Sequence, residues 1–69
     1  MKLLEFTEVL AATKIKIENL DTKNRMFEGW STDFRFLTDK TNFNNLIVLS
    51  ACQMGDYISI YVQQERGGE

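Results

Sequence analysis

One cysteine, Cys52, and no histidine occur in a chain of 69 residues, and that scarcity constrains the fold more than any motif does. A chain this short buries only about 60% of the surface its unfolded form exposes. Its core alone is then expected to supply about 3 to 5 kcal/mol at most. Small domains commonly add disulfides, a structural metal or self-association. A single cysteine forms no internal disulfide, and a four-ligand zinc site needs Cys and His in numbers absent here. Self-association is the remaining route, so a homo-oligomer, most simply a dimer, is expected.

Apolar residues make up 43% of the chain and charged residues 26%, proportions of a folded globular protein rather than a disordered one. One small domain is expected over residues 1–63. The final "QERGGE" (64–69) has no apolar anchor and is expected to be a flexible tail. The net charge of −2 argues against a DNA binder that works mainly by positive potential, and it is too slight for a polyanionic DNA mimic. The opening "MKLLEF" leads into an acidic amphipathic segment rather than a secretory apolar stretch. No run approaches the roughly 18 apolar residues of a membrane span. A cytoplasmic protein with a reduced thiol and no membrane association is expected.

Periodicity gives the elements. Over 3–12, "LLEFTEVLAA", residues Leu3, Phe6 and Leu10 recur at helical spacing, with Leu4 and Val9 widening the stripe and Glu5 and Glu8 opposite. "TKIKIENL" then switches to period two, Ile15 and Ile17 alternating with Lys14, Lys16 and Glu18. "LDTKN" is rich in turn formers, and "RMFEGW" resumes as a second strand, with Gly29 predicting a bulge or a close backbone approach. Residues 31–45 have two readings: a short helix capped by Ser31 or Thr32, or a continued, bent strand carrying Phe34 and Phe36, followed by a polar loop at 38–45. The strand is the expected one. "LIVLSAC" reads as a central strand, "QMGD" as a turn and "YISIYVQ" as its return. The expected fold is α+β: a short N-terminal helix on a four-stranded, mainly antiparallel sheet built from two hairpins.

Chemistry-bearing residues are few. Without histidine, triad and histidine-base chemistry is excluded. Asp21, Asp33, Asp39, Asp56 and Glu28 are scattered, and Asp21 and Asp56 fall where turns favour aspartate. Cys52 has no nearby histidine or cation in the sequence and reads as a buried, inert thiol. No glycine-rich phosphate loop is present. A non-enzymatic protein without cofactor or metal is expected.

The last strand carries the more pointed signal. If Ile58, Ile60 and Val62 meet the helix, Tyr57 and Tyr61 stand on the opposite, open face of the sheet. Lys14 and Lys16 stand there too, because Ile15 and Ile17 point inward. Three readings are open. Tyrosines can be buried in a sheet-to-sheet oligomer interface. Rings interleaved with lysines can stack on single-stranded bases while the cations follow phosphates. Or the face is simply solvated. Trp30, the lone tryptophan, is either an interface anchor or core.

Taken together, "KLLEFTEVL", "KIKIEN", "FEG" (Phe27–Glu28–Gly29) and a closing hairpin ending "DYISIYV" resemble small proteins of phages and integrative elements of Gram-positive bacteria, over residues 1–62. Some of that set are anti-CRISPR proteins, including one type with a fold like a eukaryotic single-strand-binding transcription cofactor. The resemblance implies an accessory protein of a mobile element, acting in a bacterial host cell against a defence nuclease such as a CRISPR nuclease. Two classes follow: an interaction protein that occupies a partner's surface, and a small single-stranded nucleic-acid-binding module.

Overall fold

A computed structural model describes residues 1–65. The chain runs through helix α1 (Leu3–Glu8), strands β1 (Lys14–Asn19) and β2 (Asn24–Trp30), helix α2 (Ser31–Arg35), a single 3-10 turn (Thr41–Phe43), and strands β3 (Leu46–Met54) and β4 (Tyr57–Gln64). The sheet order is β2-β1-β4-β3. Both hairpins pair antiparallel, but the two central strands, β1 and β4, pair parallel, so the sheet is mixed. Among the described residues no helix is long and apolar enough to cross a membrane.

Ile15 and Ile17 of β1 and Ile60 and Val62 of β4 form one buried cluster with Leu3, Phe34, Phe43 and Leu46. Period two places these strand residues on one face, and the short helices and the 3-10 turn cover that face with Leu3, Phe34 and Phe43. Phe34 makes edge-to-face contacts with Phe27 and Phe43, at centroid distances of 5.0 and 4.9 Å. Helix α1 is shorter than its apolar stripe: it ends at Glu8, and Val9, its C-cap, is 76% exposed.

The segment after Trp30 is helical, not a continued strand. Residues two apart on a helix lie about 200° apart around its axis, so Phe34 is fully buried while Phe36, just past α2, faces solvent. Neither Ser31 nor Thr32 caps α2 through a side chain. The fully buried Ser31 instead ties α2 to the link before β1. Its amide donates to the Thr13 carbonyl (2.8 Å), its hydroxyl donates to the Ala11 carbonyl (3.0 Å), and its Oγ accepts from the Thr13 amide (3.1 Å). The stretch expected as a polar loop contains the 3-10 turn that buries Phe43. Asp39 holds that turn: its Oδ1 accepts from the Thr41 hydroxyl (2.6 Å) and amide (2.9 Å), bonds that keep its carboxyl below the usual aspartate range.

Four further expectations are corrected. Gly29 pairs regularly with Ile15, and the extra residue in the β1–β2 ladder is Met26, where the register shifts between Ile17 and Glu18. β3 is an edge strand rather than a central one, since the parallel β1–β4 pairing takes the middle of the sheet. Its apolar run is half-covered at its start and exposed from Leu49 to Met54. Cys52, on that exposed stretch, is exposed and not buried. Gln64, expected to open the tail, instead closes β4, and the Glu65 amide donates to the Asn45 carbonyl at 2.6 Å. The rest of that expected tail, 66–69, lies outside the described residues.

The turns follow local chemistry. Asn19 Oδ1 accepts from the amides of Asp21 (2.8 Å) and Thr22 (3.3 Å), while the Asp21 carboxylate accepts from the Gln64 amide at 3.1 Å, tying the first hairpin to the end of β4. Gly55 turns the second hairpin at φ 66°, a conformation glycine adopts without steric cost.

Removing the Phe34 ring is expected to cost about 3 to 5 kcal/mol in urea denaturation, the range for a buried phenylalanine cut to alanine. Phe36→Ala should stay within about 0.5 kcal/mol. Equal losses at the two positions would contradict the helical placement of this segment.

Candidate functional site

The face of the sheet opposite the helices is set by the same register. Lys14 lies between Trp30 of β2 and Tyr57 of β4; Lys16 lies between Glu28 and Ser59; Glu18 lies between Arg25 and Tyr61. The backbones carrying Trp30 and Tyr57 are therefore two strand spacings apart, about 9 to 10 Å, with a lysine stem between them. Lys14, Lys16, Glu28, Trp30, Asp56 and Tyr57 surround an open depression of about 580 Å³.

Of the five residues singled out from sequence, four meet there: Trp30, Tyr57, Lys14 and Lys16. Tyr61 shares the face but not the depression. It sits on the far side of the buried Ser59, across from Glu18 and Ser50. Trp30 is 46% exposed and is not core. Tyr57 and Tyr61 are half-buried.

Both lysines have a ring and a carboxylate beside them. The Lys16 ammonium lies 4.3 Å from the centre of the Tyr57 ring and 3.9 Å from Glu28. Lys14 lies 5.9 Å from the centre of the Trp30 ring and 3.5 Å from Asp56. Glu28 also takes a 2.7 Å bond from Arg25. Exposed ion pairs of this kind contribute about 0 to 1 kcal/mol each, so they direct side chains more than they stabilise the fold. Lys14, Lys16 and Arg25 are matched on this face by Glu18, Glu28 and Asp56, leaving it close to neutral. Glu28 and Asp56 stood out in the sequence only as scattered acids, and their role as lysine partners follows from the register across strands.

The arrangement offers aromatic rings, lysine stems and charges of both signs for contact. Among the described residues no group of three or more His, Cys, Asp or Glu side chains is gathered for a metal ion. Compared with known proteins, the chain matches no family model, no curated protein and no solved structure.

The Lys16–Tyr57 contact is open to direct measurement. A double-mutant cycle of Lys16→Met and Tyr57→Leu, read by chemical denaturation, is expected to give a coupling of about 0.5 to 1 kcal/mol, the range for an exposed cation–π pair. A coupling of zero would show that the ammonium does not rest on the ring in solution.

Proposed function

We propose that this chain is a non-enzymatic interaction protein that docks a partner protein on the open face of its sheet, with Trp30 and Tyr57 as anchors. One observation carries the reading: a half-exposed tryptophan and a half-buried tyrosine flank a depression on a sheet face that no element among the described residues covers. Tryptophan and tyrosine are enriched among residues that dominate binding energy, and mixed charges around them suit a polar interface rim. The resemblance to small phage and mobile-element proteins supplies the class of partner. The chain would then act in the bacterial cytoplasm as an anti-CRISPR-type inhibitor, covering a working surface of a CRISPR nuclease or another defence protein.

The second reading, a single-stranded nucleic-acid-binding module, is favoured by the Lys16 ammonium lying over the Tyr57 ring, which interleaves cation and aromatic. The charge balance weighs against it. Both lysines already face carboxylates, and phosphate binding rests on cations free to replace counterions.

Binding measured against a purified CRISPR nuclease complex tests the first reading. Trp30→Ala and Tyr57→Ala are each expected to weaken binding about tenfold or more, in line with losses near 2 kcal/mol at anchor residues, while both variants stay folded by circular dichroism. Titration with single-stranded DNA at rising salt tests the second: affinity that falls steeply with salt would favour it. Binding to the nuclease that survives both substitutions would remove the open face from the argument.

A further inference from the structure

The two edges of the sheet are built differently. β2 is blunted by the usual devices: it carries Arg25 and Glu28, contains the extra residue Met26, and runs straight into α2. β3 has none of these charges; its nine residues, "LIVLSACQM", include no Asp, Glu, Lys or Arg. Among the described residues, the chain covers only the beginning of this edge. Lys2 forms a bridge with Ile47, and the Val48 amide donates to the Met1 carbonyl at 2.8 Å. The register then shifts at Leu49, and Ser50–Met54 run on, paired with β4 on one side and exposed. Leu49 and Met54, at the two ends of this run, are 47% and 45% exposed.

We infer that Ser50–Met54 is a self-pairing edge. Two copies of this chain join there antiparallel, about a two-fold axis at Cys52, and two four-stranded sheets become one of eight strands. A second copy fits for three reasons. The free run has the same length on both chains, bounded at one end by the covered Ile47–Val48 and at the other by the Gly55 turn. With Cys52 facing Cys52, Ser50 faces Met54 and Ala51 faces Gln53, so no charge opposes a like charge. The same register brings the exposed Leu49 of each copy alongside the exposed Met54 of the other. A partner strand bearing charges would find no complement along this edge. The inference is independent of what docks on the open face.

Sedimentation equilibrium at about 0.5 mM protein, a concentration suited to a short interface, is expected to give twice the 8.0 kDa chain mass. A short bismaleimide should link the two Cys52 thiols into a covalent dimer, since facing residues in such a ladder have Cα atoms about 4.5 to 5.5 Å apart. Cys52→Lys sets like charges face to face, and Ala51→Lys adds a charge while keeping the thiol. Both positions are exposed, so each variant should keep its circular dichroism spectrum and sediment as a monomer, and Ala51→Lys should lose most of its cross-linking. Trp30→Ala should remain dimeric. A wild-type mass of 8.0 kDa would overturn the inference. So would a dimer that survives both lysine substitutions, or one abolished by Trp30→Ala or Tyr61→Ala, which would put the association on the open face. Should one lysine variant fail to fold, the other decides.

Discussion

The fold depends on one small contact: Ile15 and Ile17 of β1 against Ile60 and Val62 of β4, fully or almost fully buried beneath Phe34. Burying such a side chain is worth about 1.5 to 3 kcal/mol, and four of them meet at the centre of the sheet. Because side chains alternate along a strand, fixing these four inward also fixes Lys14, Lys16, Tyr57 and Tyr61 outward. A slip of one residue between β1 and β4 would turn the whole set of one strand to the wrong side. The core and the candidate site are two faces of one register.

That link explains why a face that no described element covers still has defined side-chain positions. Each lysine is bracketed by a ring and a carboxylate. Neither contact is strong alone. Together they set the aromatic rings beside a polar surround, and a partner docking there, as proposed, would meet a shaped surface rather than one it must order. Low net charge on the face lowers long-range attraction, and the proposed docking would then rest on shape and ring contact.

Much of this was legible in the chain. Period two in "KIKIE" and "YISIY" was enough to place Lys14, Lys16 and both tyrosines on one face. Trp30 was undecidable by itself; its place across from Lys14 depends on a register that no local pattern states. Residues 31–37 misled because Phe34 and Phe36 mimic strand alternation, whereas a single helical turn sends one inward and the other out. "LIVLSAC" has the composition of a central strand, yet strand order is set by pairing between distant segments. The parallel pairing of β1 with β4 leaves no mark in either sequence. The exposure of Cys52 follows from the same long-range choice, as does the uncharged edge on which it lies.

The order of strands in space also sets an order in time. Lys14 pairs with Tyr57, and Asn19 with Val62, so the middle of the sheet joins segments from opposite ends of the described chain. During synthesis the first hairpin can close early, but its inner edge has no partner until β4 has left the ribosome. Loop closure over such a separation slows folding. A nascent chain stalled before Tyr57 would hold Ile15 and Ile17 with half of their core missing and an open strand beside them. Among the described residues β4 is the last strand and the one that completes the centre, so loss of Ile60 and Val62 would remove the core rather than a fringe of it.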